Sequence, residues 1–210
     1  MFCNFTAIKI SSLSQKLSIT TLLSAYFQGI FPMSNERGEI DWFCPDPRTI
    51  IPIKTYKPSK SLHSVINRKV FEIKINSQFE EVMRNCSLPR KDEGGIWICE
   101  ELIKSFTQLH KLGFAHSVEA YQNNELVGGL YGVCIGGVFY GESMFSKVAN
   151  SSKVAFHNLI EILRENEFEL LDTQFMNDNV KRYGAIEISN TEFQEKLRIG
   201  LEKSCDFNLK

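Results

Sequence analysis

Residues 128–146 read GGLYGVCIGGVFYGESMFS. This stretch predicts two strands, residues 126–134 and 138–144, joined as a hairpin across Gly136-Gly137. It contains six glycines, and glycine inside a strand often marks a bulge or a close approach of a ligand to the backbone. The stretch therefore indicates either two bulges and a turn, or a bare strand surface against which a substrate lies.

The flanking sequence alternates between helical and extended patterns. Apolar residues at helical spacing predict helices at residues 19–28, 78–86, 100–112, 151–165 and 191–205. Other apolar runs predict strands at residues 40–44, 70–75, 115–121 and 168–175. Thr191 and Gln194 predict a capping box that opens the last helix. This order predicts an α+β fold with a mixed, mainly antiparallel sheet.

Prolines at 45, 47 and 52 interrupt the chain after the first predicted strand. They indicate a boundary between a small N-terminal domain, residues 1–55, and a larger domain, residues 56–210. With 210 residues, of which 43% are hydrophobic, the chain is long enough to bury a substantial core.

Composition argues against several classes of protein. No apolar run approaches the roughly 20 residues of a membrane helix, and the N-terminus lacks a signal-peptide pattern, so we expect a cytoplasmic protein. The six cysteines and four histidines form neither C-x-x-C nor H-E-x-x-H, so we expect no metal. Neither G-x-G-x-x-G nor G-x-x-x-x-G-K-[ST] occurs, which leaves binding of a nucleotide phosphate unsupported.

A local excess of positive charge lies in residues 47–71, which contain no acidic residue although the whole chain has a net charge of −1. This basic window either contacts a phosphate backbone or forms a solvated surface. Its basic residues are Arg48, Lys54, Lys57, Lys60, Arg68 and Lys69.

Three polar side chains fall in apolar strands. Asp172 and Gln174 lie two residues apart, so they point to one face of a regular strand. Glu142 follows Gly141 in a stretch rich in aromatic residues, where an acidic residue is unusual without a partner. These residues either form a site or have simpler roles, Asp172 as a turn cap and Glu142 as a solvent-facing acid.

Five motifs, taken together, decide between a functional site and these simpler roles. They are AYFQGIFPM at 25–33, WFCPDPRTIIP at 42–52, GGLYGVCIGGVFYGESMFS at 128–146, its continuation NSSKVA at 150–155, and LLDTQ at 170–174. In this order and spacing they resemble the leucyl/phenylalanyl-tRNA–protein transferase family, over about residues 20–190. Each motif alone is weak evidence, but the combination is specific.

The resemblance implies a small N-terminal domain packed on a larger GNAT-like acyltransferase domain. It implies an enzyme that moves leucine, phenylalanine or methionine from aminoacyl-tRNA to the N-terminal Arg or Lys of acceptor proteins, which marks them for N-degron proteolysis. Members of the family use no metal and no coenzyme A, so we expect no cofactor. We also expect a monomer.

The resemblance also assigns roles to residues. Trp42 and Trp97 match aromatic positions that handle the 3′-terminal adenosine, where stacking contributes about 1–3 kcal/mol per base. Asp172 and Gln174 match the catalytic pair, and Glu142 matches a site carboxylate. The basic window becomes a contact for the tRNA backbone. The other substrate-binding positions, most of them in the pocket for the transferred side chain, are Leu130, Phe139, Gly141, Met144, Phe156, Leu159 and Leu171.

These assignments constrain the strand that carries LLDTQ. Leu171 and Asp172 are adjacent, so they cannot face the same side of a regular strand. Either the site wraps around the end of the strand, or a bulge lies there. Departures from the family pattern at Phe43, Phe106 and residues 177–184 leave details of substrate recognition open.

Our mechanistic hypothesis is that Asp172 orients Gln174, whose carbonyl oxygen accepts a hydrogen bond from the attacking amine. The proton then goes to Asp172 or to the leaving tRNA hydroxyl. Alternatively, Glu142 binds the positively charged N-terminal Arg or Lys of the acceptor. A coenzyme A-dependent N-acetyltransferase is the second interpretation, but FSKVANSS at 145–152 lacks the required pyrophosphate loop. A non-catalytic RNA- or peptide-binding module is the third.

Overall fold

The computed structural model of the chain describes residues 17–89 and 98–207. The helices are α1 (Ile19–Tyr26), α2 (Lys60–Asn67), α3 (Phe79–Cys86), α4 (Glu100–Lys111), α5 (Ser151–Glu165), α6 (Asp178–Lys181) and α7 (Asn190–Leu201). The strands are β1 (Phe31–Ser34), β2 (Ile40–Phe43), β3 (Arg48–Ile50), β4 (Glu72–Ile75), β5 (Ala115–Gln122), β6 (Glu125–Ile135), β7 (Val138–Ser146), β8 (Leu170–Gln174) and β9 (Ile186–Ile188).

Seven of these strands form one sheet in the order β4-β5-β6-β7-β8-β3-β9, and β1 and β2 form a separate antiparallel pair. Within the described part of the large sheet, β7 and β8 are parallel and the other neighbours are antiparallel. The predicted α+β class with a mixed, mainly antiparallel sheet is confirmed.

The hairpin of β6 and β7 turns across Gly136 and Gly137, as predicted. Gly136 has φ +58°, and a Cβ there would lie 2.8 Å from the carbonyl oxygen of Gly200. Only glycine satisfies both the left-handed backbone and the contact with α7 without strain. The turn therefore fixes where the C-terminal helix meets the sheet.

Helix α5 connects β7 to β8, as a crossover must when two neighbouring strands are parallel. The core divides into two clusters on the two faces of the sheet. Leu170 belongs to the cluster that contains Tyr26, whereas Leu171 belongs to the cluster that contains Phe156 of α5. This split between adjacent residues follows from the alternation of side chains along a strand.

The beginning of the last helix differs from the prediction. The N-cap of α7 is Ser189, whose hydroxyl accepts a hydrogen bond from the backbone N–H of Glu192. Thr191 lies inside the helix, and the side-chain amide of Gln194 donates to the carbonyl oxygen of Gln28. The predicted capping box of Thr191 and Gln194 is wrong because Ser189 already has the extended backbone of a cap.

The N-terminal elements share a core with the large sheet. Tyr26 of α1, Phe31 of β1 and Trp42 of β2 belong to the same buried cluster as Leu170 of β8. β3, which precedes residue 55, is already a strand of the large sheet. The division into residues 1–55 and 56–210 stays a prediction. Among the described residues, no helix combines the length and the apolarity needed to span a membrane.

Candidate active site

A cavity of about 280 Å³ opens where β7 and β8 separate. Their parallel pairing ends at Tyr140 opposite Asp172. Beyond this pair, β7 continues on β6 and β8 continues on β3, so the two strands no longer close the sheet between them. The volume is near the lower limit of ligand pockets, about 300 Å³.

One wall of this cavity is apolar. It contains all five side chains that the resemblance assigns to the pocket for the transferred amino acid. They come from strands β6, β7 and β8 and from one face of α5, and they are Leu130, Met144, Phe156, Leu159 and Leu171. Gly141 also lines the cavity, and a Cβ there would lie 3.4 Å from the carbonyl oxygen of Asp172.

Two bulges bring polar groups to the cavity. On β7, Gly141 and Ser143 have partners on β6, and Glu142 between them is the extra residue. On β8, Asp172 and Gln174 have partners on β3, and Thr173 is the extra residue. The bulge predicted for this strand was meant to let Leu171 and Asp172 face the same side, whereas the observed one at Thr173 allows Leu171 and Gln174 to line the same cavity. The expectation that Asp172 and Gln174 point to one face of a regular strand is therefore wrong.

Gln174 and Glu142 meet across the gap between the strands. The side-chain amide Nε2 of Gln174 donates to Glu142 Oε1 at 3.0 Å, and the hydroxyl of Tyr26 donates to the same oxygen at 2.8 Å. In the part of the chain that the structure describes, Glu142 Oε2 makes no hydrogen bond. Glu142 therefore has one anchored oxygen and one oxygen left for a ligand.

The environment of Glu142 disfavours its charge. The side chain is buried, with 7% of its surface exposed, so the interpretation as a solvent-facing acid is wrong. Burial, which outweighs its hydrogen bonds, raises the pKa of Glu142 to about 8. Near neutral pH this carboxyl group can therefore exchange a proton with a ligand.

Asp172 supports this site without reaching the cavity. Its side chain is fully buried, and both oxygens accept hydrogen bonds from Arg48, at 2.9 and 2.6 Å. Oδ1 also accepts a hydrogen bond from the backbone N–H of Gln174, at 2.9 Å, where φ is +66°. Asp172 thus holds the backbone of Gln174 in a left-handed conformation that is uncommon for a residue other than glycine.

Arg48 is not a contact for the tRNA backbone. Its side chain is 1% exposed, and it pairs with Asp172 and donates to the carbonyl oxygen of Gly29 at 2.9 Å. Its guanidinium also lies over the rings of Phe31 and Phe193, at 4.9 and 4.4 Å. A guanidinium enclosed in this way cannot meet a phosphate at the surface.

Two other predicted substrate contacts do not line the cavity. Trp42 is 3% exposed and packs within the core, so its ring is not accessible to a base. Phe139 is fully buried and stacks on Phe207 at 5.2 Å. Trp97 lies outside the described residues.

Sequence reasoning missed two groups that bind the catalytic candidates. Tyr26 and Arg48 both lie within motifs used for the resemblance, and membership of those motifs was the available signal. The aromatic edge of the cavity was also missed. Phe31 and Phe175 line it with ring centroids 5.5 Å apart, and the half-buried Phe43 lies 6.3 Å from Phe175.

The rest of the basic window is at the surface. Within the residues that the structure describes, none of the five basic side chains of this window other than Arg48 forms an ion pair. Lys60 is the first residue of α2, and Arg68 and Lys69 follow its last residue. The exposed basic residues are Lys54, Lys57, Lys60, Arg68 and Lys69.

The fold and the site together define a class, an α+β protein with an apolar pocket beside a buried carboxylate and amide. Comparison with known sequences identifies the group within this class. The model of the leucyl/phenylalanyl-tRNA protein transferase family matches residues 50–198, and that of its N-terminal domain matches residues 15–46. The chain belongs to this family and is an aminoacyltransferase.

Full-length relatives support the assignment. The leucyl/phenylalanyl-tRNA–protein transferase of Chlorobaculum parvum is 47% identical over 192 residues, 91% of this chain and 99% of the relative. That of Herpetosiphon aurantiacus is 46% identical over 196 residues, 93% of this chain and 100% of the relative. That of Gloeobacter violaceus is 44% identical, covering 89% of this chain and 95% of the relative.

Proposed function

We propose that this chain transfers leucine, phenylalanine or methionine from aminoacyl-tRNA to the N-terminal Arg or Lys of acceptor proteins, which marks those proteins for N-degron proteolysis. One observation carries the proposal. Glu142 and Gln174 line the apolar cavity between β7 and β8. The side chain of the donor amino acid can therefore bind in the cavity while these polar groups contact its ester.

The apolar wall suits the donor amino acid. Burying a Leu, Phe or Met side chain contributes about 1.5–3 kcal/mol. Met144 lies in this wall, and the thioether of methionine adapts to ligands of different shape. Such a wall accepts side chains of three shapes and excludes charged ones.

The reaction itself needs orientation more than strong acid–base chemistry. The ester is an activated acyl donor, and an α-amine with a pKa of about 7.7–8.0 is partly neutral near pH 7. The amine nitrogen attacks the ester carbon, the new C–N bond forms, and the bond to the ribose oxygen breaks. Gln174 uses Nε2 on Glu142, so its carbonyl oxygen is left to accept a hydrogen bond from the amine.

Glu142 is our candidate for the proton acceptor, in place of Asp172. Asp172 is enclosed by Arg48, whereas Glu142 lines the cavity, and its Oε2 accepts no hydrogen bond from the residues that the structure describes. A proton moves from the amine to Oε2 and then to the departing ribose oxygen, which balances the reaction. The pKa of about 8 matches that of the amine, so the first transfer is close to isoenergetic.

The finer recognition contacts belong to the same proposal. Because Trp42 is buried, the half-buried Phe43 beside the cavity edge replaces it as the candidate for stacking on the terminal adenosine. Trp97 stays a prediction for the same base. The exposed basic residues near α2 contact the tRNA backbone. We further propose that the enzyme acts as a monomer in the cytoplasm.

The direct test is transfer of labelled leucine from charged tRNA to a protein with N-terminal Arg. The matched acceptor has the same sequence with its N-terminal amine acetylated. We expect label only on the free amine, and none when acetyl-coenzyme A replaces the aminoacyl-tRNA as donor. Absence of labelled acceptor, or acetylation by the coenzyme A donor, would refute the proposal.

A further inference from the structure

Tyr26 links the N-terminal region to the candidate catalytic carboxylate. It is the last residue of α1 and is fully buried. Its hydroxyl donates to Glu142 Oε1 at 2.8 Å, and its carbonyl oxygen accepts a hydrogen bond from the hydroxyl of Tyr140 at 2.7 Å. Its ring packs on those of Tyr140 and Phe106, with centroids 4.9 and 6.3 Å away. Both ends of the residue are therefore held in place.

We propose that Tyr26 is a positioning residue for the transfer reaction: its hydroxyl fixes Glu142 Oε1 so that Oε2 faces the incoming amine, and it favours the ionised carboxylate. This inference rests on the proposed function of the site. It extends that function because it gives the N-terminal helix α1 a defined part in the chemistry, beyond packing.

The chemistry of the phenol supports this role. Burial and the nearby Glu142 carboxylate raise the pKa of Tyr26 well above its usual 10, so the hydroxyl stays protonated and donates. A donor to a carboxylate stabilises the charged form. Removing the hydroxyl should therefore raise the pKa of Glu142 and leave less of the ionised base at neutral pH.

Other groups around Glu142 set the background for this effect. They are two phenols on β6 and β7, a carboxylate on β8 that opposes ionisation, and a guanidinium on β3 that favours it. The last two groups act in opposite directions on the pKa of Glu142. These groups are Tyr131, Tyr140, Asp172 and Arg48.

The test compares Tyr26→Phe with Tyr121→Phe. Tyr121 offers a matched control because its hydroxyl also donates to a buried carboxylate, Glu119 Oε2 at 2.9 Å, and neither residue lines the cavity. The titration of Glu142 is followed by NMR of ¹³C-labelled glutamate, assigned with Glu142→Gln. Single-turnover leucine transfer is measured over the same pH range.

We expect Tyr26→Phe to raise the pKa of Glu142 by about one to two units, the effect of one hydrogen bond to a charged group. The acidic limb of the transfer rate should move by the same amount. Tyr121→Phe should move neither. An unshifted Glu142 titration in Tyr26→Phe, or an equal shift in both variants, would overturn the inference.

A second substitution tests the opposite direction and preserves the packing. 3-Fluorotyrosine at position 26 keeps the hydroxyl and makes it a stronger donor, so it should lower the pKa of Glu142. A raised or unchanged pKa would overturn the inference. The titration of Glu142 does not require catalysis. Failure of wild-type transfer would therefore refute the proposed function, whereas the change in the pKa of Glu142 would still test the effect of Tyr26 on that carboxylate.

Discussion

Glu142 combines three properties that conflict with stability. It is the extra residue of a bulge on β7, it is buried, and one of its oxygens makes no hydrogen bond within the described residues. Burying a carboxylate that is only half satisfied costs free energy. Residues with strained or destabilised environments of this kind concentrate at functional sites, which supports a chemical role for Glu142.

This cost predicts that Glu142→Gln stabilises the protein in a pH-dependent way. Because the folded-state pKa is raised to about 8, the native protein holds a proton there that the unfolded chain loses above about pH 4.3. Wild-type stability should therefore decrease as the pH rises from about 4.3 to 8.

The amide does not ionise, so the variant should lack this component. Thermal unfolding at pH 9 should give a higher melting temperature for Glu142→Gln than for wild type, with a smaller difference at pH 5. A melting temperature for the variant that is lower than wild type at both pH values would mean that Glu142 is a net stabilising group, contrary to this account.

At the scale of elements, the separation of β7 from β8 creates the cavity, and the buried pair of Arg48 and Asp172 joins β8 to β3 beside it. Breaking a buried ion pair by removing one partner costs about 3–5 kcal/mol, since a buried charge remains. Arg48→Met should therefore lower the free energy of unfolding by about that amount in urea denaturation.

The exposed pair of Arg198 and Glu202 at the C-terminal end of α7 provides the control. Arg198→Gln should change stability little because surface ion pairs contribute little. If Arg48→Met were as stable as Arg198→Gln, Asp172 would not depend on Arg48, and the support that Asp172 gives to the backbone of Gln174 would need another origin.

Long, strongly patterned elements could be predicted from the sequence, and the three-residue strands could not. The bounds of α5 were predicted as observed, and the hairpin of β6 and β7 was predicted with its turn. The three-residue strands β3 and β9 have too few residues for a periodic pattern. They exist because β8 offers an edge on which β3 pairs, and β3 then offers one to β9.

The same limit applies to the site. Motif resemblance brought Asp172, Gln174 and Glu142 together, and the structure has them within one hydrogen-bonded network. The pairing of Arg48 with Asp172 spans 124 positions in sequence, and the contact of Tyr26 with Glu142 spans 116. Local patterns carry no information on such distant pairs, which is why Arg48 was assigned to the surface.

At the scale of the whole molecule, positive charge without an ionic partner in the described residues lies near α2 while the net charge is −1. If this surface binds the tRNA backbone, the affinity for tRNA should depend on salt through these residues. Combined Lys57→Gln, Lys60→Gln and Arg68→Gln should reduce the slope of log affinity against log salt by about 2–3.

The matched control neutralises three exposed basic residues elsewhere, Lys104, Lys111 and Arg198. Filter binding of tRNA at several salt concentrations measures both triple variants. Equal slopes for the two variants would make the window near α2 an ordinary solvated surface, and tRNA contacts would have to be sought elsewhere on the molecule.

The N-terminal region, the sheet and the cavity meet at Glu142, so the most direct measurement concerns that residue. Single-turnover transfer of labelled leucine from charged tRNA to an acceptor with N-terminal Arg is measured for wild type and Glu142→Gln at saturating acceptor. A proton acceptor contributes about 10²–10⁴ in rate, so the rate should fall by that factor with the fold intact. A wild-type rate in Glu142→Gln at saturating acceptor would contradict the account.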